Sequence, residues 1–258
     1  MNFEKKGRSV GLSFAASAAL FLAAASGTAF ATSVVRMDVK NLAKRSSLVF
    51  AGTVAAIEKH ALADDSMAYT FVTFEDLDVL AGAFAGRTLT LRFDGGELSD
   101  GRVVVVPGMP EFKEGERVVL FADGGNGAVP CPITGWEQGH LRVVDDPTTG
   151  EPALADAQGR EILGIEKGRF VKDGGERPGE SGAEFVDRPS DTADVPAVDV
   201  DRPAVPGRAL ALEELRAAVN EIRAAARTLG PGARPIADAS PSELPPTEII
   251  EATAPPIR

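Results

Sequence analysis

Few groups in this chain can do chemistry at neutral pH. There are two histidines, His60 and His140, and one cysteine, Cys131. His60 ends the apolar run "SLVFAGTVAAIEKH" and His140 opens "HLRVVDD", with no short ligand spacing around either, so no zinc site is expected. "GESGA" at 179–183 has the letters of a serine-protease nucleophile turn. It sits in an acidic, Gly/Pro-rich stretch, and no strand–GxSxG–helix elbow occurs elsewhere. "FDGGELSDG" (93–101) and "ADGGNGA" (122–128) gather the oxygen donors that calcium loops use, but lack EF-hand spacing and read as hairpin loops. No phosphate loop or dinucleotide fingerprint is present. No catalytic residue, cofactor or metal is therefore expected.

Three further features have both a plain and a functional reading. "PCP" places Cys131 in an ordered loop, where it is either an inert thiol or a reactive, intermolecular one. Trp136, the only tryptophan, lies in "TGWEQGH" and either caps the end of a sheet or contacts a partner. In "ALALEELRAAVNEIRAAARTLG", Leu212, Leu215, Val219, Ile222, Ala226 and Leu229 alternate at spacings of three and four and share one helix face. That helix either docks on its own domain or meets another chain. The candidate partner contacts are thus Trp136, Leu215, Val219 and Ile222.

The elements that position these residues fall into zones. Lys5, Lys6 and Arg8, then "VGLSFAASAALFLAAA", then small residues at Ala29 and Ala31 have the layout of a signal peptide over residues 1–31, cut after Ala31. The protein is therefore expected in the periplasm or outside the cell. No later stretch is long and apolar enough to span a membrane. The formal net charge is -11, and loss of the segment carrying Glu4, Lys5, Lys6 and Arg8 takes it to -13. Such a protein is repelled by nucleic-acid backbones, so no nucleic-acid partner is expected.

Residues 33–165 read as a strand-rich globular domain. "SLVFAGTVAAIEK", "MAYTFVTFEDLDVL", "LTLRF", "RVVVVPG", "ERVVLFA" and "GHLRVVDD" are strands separated by turn signals, with Gly52 marking a bulge. No helical period separates them, which argues for a mainly β, antiparallel fold: a small OB-like barrel, with a β-sandwich as the alternative. "RMDVKNLAKRS" reads as a short helix with Met37, Val39 and Leu42 turned inward. "EFKEGE" (111–116) reads as a charged turn with Phe112 tucked toward the core, and "RVVLFA" as a central strand apolar on both faces. Residues 166–208 are rich in Gly, Pro, Asp and Glu and read as a disordered acidic linker. Residues 209–230 form the amphipathic helix, ended by Gly230 and Pro231, and 231–258 a Pro-rich disordered tail.

In order, "SSLVFAGTV" (46–54), "YTFVTFEDLDVLAG" (69–82) and "FKEGERVVLF" (112–121) resemble the core of tissue-inhibitor-of-metalloproteinase and netrin-like modules and their bacterial relatives. The resemblance spans about residues 46–122 and implies an OB-like barrel. Those inhibitors chelate the protease zinc through an N-terminal cysteine and carry several disulfides. This chain, starting near "TSVVR" after cleavage, has no cysteine there, so none of their functional residues carries over. The expected function is an exported, non-catalytic module that binds another extracytoplasmic protein, with a protease as the partner class the resemblance implies. The alternatives are a periplasmic hydrolase with dispersed loop carboxylates, and a structural envelope protein.

Overall fold

The structure is a computed structural model. It describes residues 33–123, 129–146, 149–174, 184–186, 200–205, 207–227 and 249–250. The signal segment 1–31, the "GESGA" motif, most of "ADGGNGA" and of the acidic linker, Leu229 with the Gly230–Pro231 stop, and the tail apart from 249–250 lie outside the described residues.

β1 (Ser33–Val35) pairs in parallel with β12 (Glu184–Val186). α1 (Val39–Arg45) follows. Asp38 caps it by accepting the Asn41 N–H at 2.7 Å, and Lys44 and Arg45 complement the dipole in its last turn. Val39 and Leu42 are buried, as their spacing predicts.

β2 (Leu48–Leu62) and β3 (Ala68–Ala81) form a long antiparallel hairpin. Its register shifts between Ala51 and Thr53, placing a bulge at Gly52. A Cβ there would lie 2.9 Å from Leu77 Cδ2 and 3.3 Å from the Glu75 carbonyl. β4 (Leu89–Asp94) lines the outer edge of β3, and β5 (Gly96–Glu97) with β6 (Val103–Val104) makes a small side hairpin. β7 (Arg117–Ala122) pairs with β2 on one side and with β8 (His140–Asp145) on the other. β9 (Pro152–Ala155) pairs with β8. β10 (Ile162–Glu166) and β11 (Arg169–Lys172) form a hairpin, α2 (Leu212–Arg227) is the long helix, and β13 (Ile249–Ile250) adds to β2.

The large antiparallel sheet thus runs β4-β3-β2-β7-β8-β9, with β13 beside β2. The barrel expected from the sequence is not closed among the described residues. Closure would join β4 to β9, the two ends of that order; Ala153 and Ala155 of β9 instead form isolated bridges to Ala211 and Glu161. The sheet remains open and buries both faces.

Two cores result. Phe50, Val72, Phe74, Leu89, Leu91, Phe93, Val118 and Leu120 fill one face with Cys131 and Ile133. Val49, Ala51, Val119, Phe121, Leu141 and Leu154 fill the other, covered by α1, β10 and α2. β7 contributes alternate residues to each, so Val118 through Ala122 are all buried, the signature of an interior strand.

The expected linker boundary at residue 165 falls inside the β10–β11 hairpin, where Ile165 is buried and strand pairing runs to Lys172. The chain also returns to this hairpin at its far end. Ile165 and Arg202 exchange backbone hydrogen bonds of 2.8 and 2.7 Å, and Val200 is buried. A Cβ on Gly164 would lie 2.4 Å from the Arg202 carbonyl oxygen and 2.7 Å from the Ala204 nitrogen. Gly164→Ala is therefore expected to destabilise the protein by about 2 kcal/mol, read as a lower urea midpoint at unchanged slope. A wild-type midpoint would show that 200–204 does not pack there.

Candidate functional site

β7 pairs with β2 only from Leu48 to Thr53, while the β2–β3 hairpin continues to Leu62 and Ala68. Beyond that point the β2 edge is paired by β13 at Ala61 and Leu62, and the loop 104–112 faces the hairpin's continuation. A cleft of about 780 Å³ lies between them. Its floor is Ile57 of β2, Val72 of β3 and Phe93 of β4; its far wall is the whole of Val104 to Phe112; Glu137 and Gln158 border one end.

The loop holds its shape for local reasons. Pro107 and Pro110 restrict φ, Gly108 takes φ +81, and Met109 N–H donates to the Val106 carbonyl at 3.2 Å. Phe112 anchors its end. The Phe112 ring lies 5.7 Å from Phe74, 5.1 Å from Phe93 and 4.8 Å from the His140 ring. The charged turn after it reverses at Gly115, φ +80, whose N–H donates to the Val54 carbonyl at 2.8 Å. This turn is structural, as its sequence implies, while the proline-bearing segment before it is cleft wall.

The ionisable lining residues are Lys59, Asp94, Glu111 and Glu137. Burial raises the Asp94 carboxyl above its usual range, and the Arg92 cation opposes this only in part. Asp94 Oδ1 is buried without a hydrogen bond, and Arg92 Nη2 stands 3.7 Å from it. Arg92 also lies over the Tyr69 ring, 4.6 Å from its centroid. Glu137 is likewise raised, mainly by burial, against a hydrogen bond from Gln158 and the Lys172 cation, with the charges of Asp156 and Glu111 adding to the rise.

The sequence-derived contacts divide. Trp136 is half-buried, begins a 3-10 turn (Trp136–Gly139) with φ +57, and packs on the Phe-rich core. A Cβ on Gly108 would come 3.6 Å from its Cε3, so the indole backs the cleft loop without lining the cleft. Leu215, Val219 and Ile222 are each 0% exposed within the chain's own core. As partner contacts they are corrected: α2 docks on the open sheet, and these three side chains are the docking surface. Polar arms reinforce it, with Arg216 Nη1 donating to the Val79 carbonyl at 3.1 Å and Arg223 Nη1 to that of Ser46 at 3.0 Å.

His60 sits 3.3 Å from Glu58 and edge-on to Phe71, while His140 is buried in β8, so the two imidazoles occupy different surroundings. Among the described residues no group of three or more His, Cys, Asp or Glu is placed to hold a metal ion. Burial pushes the Cys131 thiol up to about 12, which keeps it protonated and unreactive. In "FDGGELSDG", Asp94 faces the cleft while Asp100 bonds Arg102. Sequence reasoning missed Asp94, Glu137 and the loop wall; the two prolines flanking Gly108 were the available signal. Among the described residues no helix is long and apolar enough to cross a membrane.

Among the described residues, fold and site together define a mainly β chain with an open antiparallel sheet packed on both faces, two helices and a loop-walled cleft. No family model, curated protein or solved structure matches the chain.

Proposed function

We propose that this chain is an exported binding module that takes a segment of another extracytoplasmic protein into the cleft. The observation that carries the reading is the cleft itself: an apolar floor under a proline-braced loop, with Val105 in its wall 76% exposed and Val103 beside it 63% exposed. Exposed apolar groups next to a preformed concavity are the usual mark of a binding surface. In the same proposal the sheet is an open, OB-like relative of the tissue-inhibitor and netrin modules, carried by the three segments within 46–122. A protease is then the partner class to try first. Signal cleavage after Ala31 and a periplasmic or secreted location belong to this reading.

The test is site-specific photocrosslinking in cells of the source, with the probe at Val105 and, as control, at Glu75, which is exposed on β3. A discrete adduct in the envelope fraction from Val105 but not from Glu75 is expected. Equal adducts from both positions, or from neither, would overturn the proposal.

A second reading, the hydrolase, rests on two carboxyls, Asp94 and Glu137, lining one cleft and both raised by burial. It predicts cleavage of the crosslinked partner by the purified chain, lost in Asp94→Asn; an intact partner after prolonged incubation removes it.

A further inference from the structure

We infer that the cleft selects an extended peptide segment in which an apolar side chain stands next to a lysine or arginine, the apolar group lying over Phe93 and Ile57 and the cation against Asp94 and Glu137. This rests on the binding reading and gives it a ligand chemistry.

Charge balance is the first reason. Three carboxylates and one ammonium line the cleft, and Lys59 is an exposed β2 residue. An acidic segment would meet repulsion from Asp94, Glu111 and Glu137. A neutral apolar segment would strip the remaining water from carboxylates already partly desolvated, at a cost no new contact offsets. Arg92, 3.7 Å from Asp94, and Lys172, acting on Glu137, offset part of this negative charge from outside the lining, and a ligand cation adds to them in a partly water-excluded cleft.

Hydrogen-bond supply is the second reason. Asp94 Oδ1 has no donor, and the nearby Arg92 nitrogen at 3.7 Å is beyond hydrogen-bond reach. That oxygen is sealed from the cleft, but the Asp94 side chain is 20% exposed, and there a ligand ammonium or guanidinium can add a charge-assisted hydrogen bond to the carboxylate. Shape is the third. The cleft runs between a sheet face and a loop, and its apolar floor stands beside the carboxylates, since Phe93 and Asp94 are neighbours in β4. One short segment can therefore satisfy both. Exclusion of acidic segments gives specificity by repulsion as well as attraction.

The experiment displays randomised heptapeptides against the chain lacking residues 1–31, and against its Asp94→Asn/Glu137→Gln variant, both checked for equal urea midpoints. The expected result is enrichment of Lys or Arg adjacent to an apolar residue. The synthetic consensus peptide should bind the variant at least about tenfold more weakly, and bind the wild type less tightly as salt rises. Enriched peptides that are neutral or acidic, or that bind the variant equally well, overturn the ligand chemistry. If their binding is still lost in Val105→Asp, at an exposed position of the cleft wall, the cleft reading survives. No enrichment on either protein overturns both.

Discussion

Replacing Leu215 with alanine is expected to destabilise the protein by about 4 kcal/mol, near the upper range for a large-to-small core change. Leu215 is 0% exposed in the middle of α2, among Val49, Ala51, Val119, Leu154 and Ile162 of the sheet side. Truncation removes apolar contacts and leaves a cavity between helix and sheet, where neither layer can close the gap freely. The helix cannot shift to compensate, because Arg216, Asn220 and Arg223 hold carbonyls of Val79, Leu80 and Ser46. Urea unfolding of Leu215→Ala and of Ala217→Ser, at an exposed position two residues on, measures it. The first should lose stability steeply and the second stay within about 0.5 kcal/mol of wild type. Equal, small losses would mean that α2 does not cover the sheet.

The second large effect is acid sensitivity centred on His140. Its ring is 2% exposed, and neither nitrogen has a hydrogen-bond partner among the described residues. Around it stand apolar Phe112 from the loop, Leu120 opposite in β7, and the 3-10 turn, where the Glu137 carbonyl accepts the His140 backbone N–H. Burial first, and the Arg142 cation on the same strand second, push the imidazole down from 6.5 to about 4. Glu116 pairs with Arg142 at 2.9 Å and is occupied there.

The folded pKa lies below the unfolded one, so the unfolded chain takes the proton first. The stability is full above pH 6.5, is lost as pH falls toward 4, and levels off below that. The loss amounts to about 3 kcal/mol, at roughly 1.4 kcal/mol per pH unit. His140→Leu should remove this limb, and comparing the two proteins isolates the imidazole because every carboxyl is common to both. Parallel pH profiles would show that His140 is solvated or bonded.

Much of the architecture was legible because it is periodic. "RVVLFA" has no polar side and therefore had to be interior, and Leu212, Leu215, Val219 and Ile222 had to share one buried face. Periodicity defines a face without naming what covers it, so the same helix pattern also permitted a partner interface. The open sheet follows from longer-range pairing, in which the end strand β9 meets Ala211 and Glu161 and not β4. β9 through β11 are short, with sequences such as "PALA" and "ILGIE" among Gly and charged residues, and carry weak strand signals. The cleft was hidden for another reason. Asp94 and Glu137 are far apart in sequence and only the fold brings both to it, whereas the bracing of its wall by Pro107, Gly108 and Pro110 was visible.

Chemical-shift mapping by NMR tests the central claim most directly, with the selected basic–apolar peptide titrated into the isotopically labelled chain. Shifts concentrated at Phe93–Gly95, along Val104–Phe112 and at Glu137, together with the single indole N–H of Trp136 behind the loop, are the predicted result. Shifts confined to α2 or to the β10–β11 hairpin, with the loop and the indole unmoved, would contradict it.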